Sequence, residues 1–200
     1  MAPRISTHDA LLGAAEELLA AGQIDVSVAA ITTTAGVGVG SFYNHFDDKG
    51  SLFELAAQRA FISFEAELVP LTEHIENPAE RLCTRVRIYC RIPDSQPRLA
   101  RIVVNAAPHC LLSPVGYSPM FEADAKAAVA DGVLDGADLD LKLMAIAAGA
   151  ERLVGQAVIF PPLSEARVDE FASVALQILG MPRTKARRMA RRPLTDLLQP

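Results

Sequence analysis

Between Ser27 and Phe53 the chain reads SVAAITTTAGVGVGSFYNHFDDKGSLF, two short helical stretches that meet at a glycine. This junction constrains the fold more than any other feature. Ser27 is an N-cap residue, its hydroxyl free to accept from the first turn. Val28, Ile31 and Ala35 face inward from the first stretch. Gly36 stands where the chain must take a positive φ to redirect the second, which glycine does without a Cβ clash. Ile31, Val37, Phe42 and Phe46 are spaced to bury one side of both helices, Phe42 and Phe46 as core. That leaves Val39, Gly40, Ser41, Tyr43, Asn44 and His45 at the outer surface or its edges. A helix presented in this way fits the major groove of duplex DNA, its first turns nearest the base edges.

Helical periodicity dominates elsewhere and alternating patterns are scarce. A first helix runs from Ser6 to Ala21, where Ser6 and Asp9 have capping-box spacing and Gly22 is a natural stop. The third covers Val39 to His45, and a fourth starts at Asp47 or Asp48 and stops before Pro70. Further helices are predicted over about 79–92, 98–107, 118–131, 138–160 and 165–179, with Pro108 to Pro119 as the clearest long loop. The fold class is therefore all-α. Residues 1–46 form a three-helix head and 47–182 a larger helical domain, with 47–69 as the connecting helix and 183–200 as a basic, mobile tail.

Half of the 200 residues are hydrophobic, enough for a sizeable core. No apolar run approaches the roughly 20 residues of a membrane span, and Met1 to Asp9 lacks a signal peptide's order. A cytoplasmic protein with no membrane partner is expected. Cys83, Cys90 and Cys110 fit a reducing compartment, and Cys83 and Cys90 read as buried thiols rather than zinc ligands. No metal, cofactor or catalytic set is predicted. Gly36-x-Gly38-x-Gly40 invites a nucleotide-loop reading, but Ser41 stands where the dinucleotide fingerprint needs glycine, and helix rather than strand precedes it. His109-Cys110 reads as structural. Charge opposes a broad electrostatic grip on DNA: net charge is −5, and residues 1–60 hold three basic and seven acidic side chains. Binding must use a few well-placed contacts.

The segment resembles the TetR family of bacterial regulators, in Ile31, Ala35-Gly36-Val37, Ser41, Tyr43, Phe46, Lys49 and Leu52-Phe53. The match covers about a quarter of the chain, and the helical remainder agrees in length and order. Two features depart from the pattern. Thr32 replaces the usual alanine, and Gly38 and Gly40 enter the recognition helix without side chains for base readout.

The resemblance implies a non-enzymatic, sequence-specific DNA-binding transcriptional regulator, by family default a repressor. It would bind a palindromic operator as a homodimer and be released by a small-molecule effector. Tyr43, Lys49 and His45 would contact phosphates, and Ser27 would offer its hydroxyl and a helix N-terminus to another. Val39, Ser41 and Asn44 would face bases, with Gly40 among them on the interface. Asn44 suits an adenine edge and Val39 a thymine methyl. The helices at 138–160 and 165–179, apolar over a wide surface, would form a four-helix interface with those of a second subunit; an ordinary intramolecular core is the alternative. An effector cavity would lie among the middle helices, lined by Tyr89, Asn105, His109, Cys110, Tyr117, Met120 and Phe121. Arg81, Arg85, Arg87 and Arg91 read as a solvated helix face, an anionic effector being the other reading. The rival class is a helical ligand-binding or protein-interaction module whose DNA binding is lost or weak.

Overall fold

The computed structural model describes residues 5–110 and 118–198, the side chains of 108–110 excepted. Among the described residues all regular structure is helical, in twelve helices and no strand. Contacts divide the chain into two compact units, Met1–Ser63 with Arg98–Ser113, and Phe64–Pro97 with Pro114–Pro200.

The first unit holds α1 (Thr7–Ala20), α2 (Val28–Ala35), α3 (Val39–Tyr43), the beginning of α4 (Lys49–Thr72) and nearly all of α7 (Pro97–Cys110). Ser6 caps α1, accepting from the Asp9 amide at 3.0 Å and donating to the Asp9 carboxylate at 2.6 Å. The apolar stripe Leu11, Leu12, Ala15, Leu18 and Leu19 is buried against Ile31, Phe42, Phe46, Leu52, Phe53 and Ala56. Ile102 and Ala106 of α7 complete that core. Phe42 and Phe53 are wholly buried, each removal from water stabilising by roughly 1.5–3 kcal/mol. Asn105 adds a polar tie, its amide donating to the Leu19 carbonyl at 2.8 Å.

The second unit holds the end of α4, then α5 (Pro78–Cys90), α6 (Ile92–Ser95), α8 (Pro119–Ala130), α9 (Leu139–Ile159), α10 (Glu165–Ile178), α11 (Arg183–Ala190) and α12 (Leu194–Leu197). Helix α5 is its hub, packed against α8, α9, α10 and α11. Three expectations are corrected here. Pro70 does not stop α4: the helix runs two residues past it, and the buried Thr72 hydroxyl donates to the Leu68 carbonyl at 2.9 Å. A proline so near the end removes one hydrogen bond, which the burial of Leu68 and Thr72 offsets. The arginines of α5 are not a solvated face. Arg85 and Arg87 are buried, Arg85 on Asp124 at 2.6 Å and Arg87 on Asp169 at 2.8 Å. Finally, most of the tail expected to be mobile is helical. Ala186, Ala190 and Leu197 are buried, the Arg192 carbonyl accepts from Arg87 at 2.7 Å, and the Leu197 carbonyl accepts from His74 at 2.8 Å.

Candidate functional site

Local rules build the N-terminal site. Ser27 has extended backbone and its hydroxyl oxygen accepts from the Ala30 amide at 3.2 Å, which starts α2. Ser27, Ala29 and Ala30 are exposed, and a helix start with first-turn amides that lack a helical partner suits an anion. Thr32, Thr33 and Thr34 donate back to carbonyls one turn earlier at 2.8–3.1 Å. The departure at Thr32 is thereby accommodated, since its hydroxyl is buried yet satisfied. Gly36 ends α2 at φ 68°, ψ 29°, the left-handed region the sequence requires there. The Val37 amide then donates to the Thr32 carbonyl at 2.9 Å and closes the turn.

Helix α3 is one residue over a turn, shorter than the predicted stretch to His45. Asn44 is its C-cap. Phe42 anchors it at zero exposure, with Phe46 at a centroid distance of 5.9 Å. The opposite side presents Val39, Gly40, Tyr43, Asn44 and His45 to solvent, with Ser41 half-buried. Tyr43 is 62% exposed although its ring packs edge-on against Phe42 at 5.2 Å, so its hydroxyl projects outward from a fixed ring. A Cβ on Gly40 would meet nothing within 4 Å. That glycine relieves no packing clash; it leaves bare backbone on the exposed face.

Lys49 opens α4, its ammonium 3.5 Å from the Val26 carbonyl and 4.0 Å from the Asp25 carboxylate. It therefore sits beside the residue that precedes the Ser27 cap of α2. Arg59 is committed inward, at 2.8 Å from Glu16 and 3.8 Å from Asp9. His8 escaped the sequence reading. It stacks on Phe46 at 5.3 Å and meets His45 edge-on at 5.9 Å. No periodic signal links residues 37 positions apart. The two histidines line a cleft with Asp47, Ser51 and Glu54 at the end of the recognition segment.

The residues expected at an effector site fall out differently. His109, Cys110 and Tyr117 lie outside the described side chains. Asn105 belongs to the first unit, where it makes the bond to Leu19. Tyr89, Met120 and Phe121 belong to the second. There the buried Tyr89 ring lies 6.4 Å from Phe64 and 6.5 Å from Phe121, and burial pushes its hydroxyl well above the ordinary phenol range. Sequence reasoning missed Glu65. Its Oε1 is buried without a hydrogen-bond partner, and burial holds its carboxyl above the ordinary range against the pull of Arg85. Arg85 in turn donates to the Thr72 hydroxyl at 2.9 Å and shares Asp124 with Arg81. Among the described residues no group of three His, Cys, Asp or Glu could hold a metal, and no helix is long and apolar enough to cross a membrane.

A short helix anchored by one phenylalanine, set off by a left-handed glycine from a capped partner helix, defines a helix-turn-helix head in an all-helical chain. Residues 11–56 match the family model described as bacterial regulatory proteins, tetR family. Residues 11–56 thus carry the N-terminal segment of the TetR family. The chain is 28% identical over 89 residues to the HTH-type transcriptional regulator HbdR of Aromatoleum sp. (strain CIB); the aligned segment is 44% of this chain and 39% of that protein. The crystal structure of RolR in complex with resorcinol matches at a TM-score of 0.75 and 26% identity, over 94% of both chains. RolR without ligand matches at 0.72 and 25%, over 92% of this chain and 97% of that one.

Proposed function

We propose that this chain is a ligand-responsive, sequence-reading transcriptional regulator, a repressor that binds a palindromic operator as a homodimer. The observation that carries the reading is the exposed row Val39, Tyr43, Asn44 and His45 on a helix whose other side is locked by Phe42. Asn44 reads an adenine edge and Val39 a thymine methyl. Tyr43, His45, Lys49 and the capped start of α2 at Ser27 hold phosphates, which sets register without reading sequence. Binding of the full chain to intergenic fragments next to its own gene tests this. Preference for one fragment over bulk DNA is expected, and equal weak binding to all would overturn it.

The dimer reading is supported by apolar side chains that α9 and α10 leave uncovered. Leu141, Met144 and Ala148 are exposed at helical spacing on α9, and Val174 and Ile178 one turn apart on α10. Gly149 already brings these helices together, its Cα so close to Phe171 that a Cβ would lie 2.9 Å from the ring. Two such pairs meeting about a two-fold axis bury both faces, and a palindromic operator with half-sites one turn apart asks for recognition helices about 34–36 Å apart.

The effector we propose is a small hydroxylated aromatic compound, as in the RolR complex with resorcinol. Phe64, Tyr89 and Phe121 supply ring surfaces, and the unpartnered Glu65 oxygen accepts from a ligand hydroxyl. Glu65→Gln should weaken a dihydroxybenzene by about 10–100-fold, the worth of a charged hydrogen bond. Calorimetry showing no loss in that variant would remove Glu65 from the site.

A further inference from the structure

Helix α11 and the two residues after it carry a cationic surface that, Arg192 apart, forms no ion pair among the described residues. The last 18 residues hold six of the chain's 19 basic side chains and only Asp196 of its 24 acidic ones. Ala186 and Ala190 are buried, so the helix has one fixed side. Arg183, Lys185, Arg187, Arg188, Arg191 and Arg192 are all exposed around the other. Arg192 pairs with Glu80; the other five make no ion pair among the described residues. Two cations in the last turn would satisfy the helix dipole. Five unpaired ones at helical spacing repel one another and offset nothing internal. We propose that this face of α11 is a docking surface for the phosphate backbone of duplex DNA, separate from the recognition helix.

Three observations select that partner. From Arg183 to Arg191 the chain advances roughly 12 Å, a length of duplex axis presenting about seven phosphate charges over both strands and about half that on one, against which the segment sets five unpaired cations. The recognition segment is poor in what it needs for backbone affinity: residues 27–48 contain no Lys or Arg, and Lys49 is flanked by Asp47 and Asp48. A lipid surface is the poorer fit. An interfacial helix needs an apolar side to insert, and here that side is Ala186 and Ala190, already buried. The choice of DNA as the polyanion rests on the regulator reading above.

The test compares full-length wild type, the triple variant Arg187→Gln, Arg188→Gln, Arg191→Gln, and the charge-keeping triple Arg187→Lys, Arg188→Lys, Arg191→Lys. All three sites are exposed, and glutamine matches arginine in helix propensity. Circular dichroism checks the fold. Anisotropy of a mixed-sequence duplex is read from about 50 to 200 mM salt, since each lost phosphate contact removes about 0.9 from the log–log slope. The glutamine variant should lose about 2.7 from the slope, the lysine variant almost nothing, and the preference for operator over mixed duplex should stay unchanged in both. An unchanged slope in the glutamine variant overturns the proposal. So does an equal loss in the lysine variant, or arginine-dependent binding to phosphatidylglycerol vesicles with DNA slopes unaltered. If wild type binds every duplex equally while the slope still depends on these arginines, the regulator reading fails and this inference stands. Operator preference with an arginine-independent slope is the converse result. A wild type that binds no duplex removes both.

Discussion

Asn44 and Lys49 lie five residues apart and should fail in different ways. Asn44 caps α3 with its side chain in solvent, whereas Lys49 stands by the Val26 carbonyl at the start of α2. Lys49→Ala should weaken every operator variant alike and reduce the salt slope by about 0.9. Asn44→Ala should relax preference at one base pair by about 1–3 kcal/mol. Competition against a base-substituted operator series separates them, and identical losses at every position would erase the distinction. Elsewhere, single residues report their burial. Cys83 and Cys90 are buried as the sequence suggests, and burial pushes both thiols up to about 12. Because the folded value lies above the unfolded one, the stabilisation is full below about pH 9 and is lost as pH climbs toward 12. At pH 8 neither should react with a thiol reagent until denaturant is added; fast labelling of either in the native protein would contradict the structure.

What was legible at the level of elements follows from how local each signal is. The turn at Gly36 needs only a cap, a glycine and a few apolar positions within one short window, so α2 and the turn read directly from the chain. The network on α5 is not local. Arg85 finds Asp124 39 residues away and Arg87 finds Asp169 82 away, so helical spacing alone made them look solvated. The basic tail misled for a related reason. Its buried positions are two alanines and one leucine, too small and sparse to stand out among six cations. Asp124 now predicts a large effect, since it binds Arg81 at 2.7 Å and Arg85 at 2.6 Å and is almost wholly buried. Asp124→Ala leaves the buried Arg85 without its carboxylate and should cost about 3–5 kcal/mol, read as a lowered denaturation midpoint. A surface-like loss under 1 kcal/mol would show that Arg85 finds water instead.

For the whole molecule, the regulator reading requires a coupling between the effector and DNA. Helix α4 starts at Lys49 beside the proposed phosphate contacts and continues through Phe64, Glu65 and Leu68 in the second unit. It is thus the continuous element whose tilt an effector would change. The coupling should be about 1–3 kcal/mol and reciprocal, so operator DNA must weaken the effector by the factor by which the effector weakens DNA. Titrating a dihydroxybenzene with and without operator measures it, and equal affinities would exclude release by this route.

The N-terminal core has one more consequence, for anyone wishing to transplant the head onto another regulator. Its helices come from two separate stretches of chain, since Ile102 and Ala106 close the core and Asn105 bonds the end of α1. A graft cut cleanly after Ser63 would carry every residue of the proposed recognition site yet leave a bare apolar patch where α7 belongs. Such a chimera should melt early or aggregate, and supplying residues 97–110 from the same parent should restore it. The modularity of this head is therefore three-dimensional, and a crossover between related genes would have to fall at two places at once to inherit it intact.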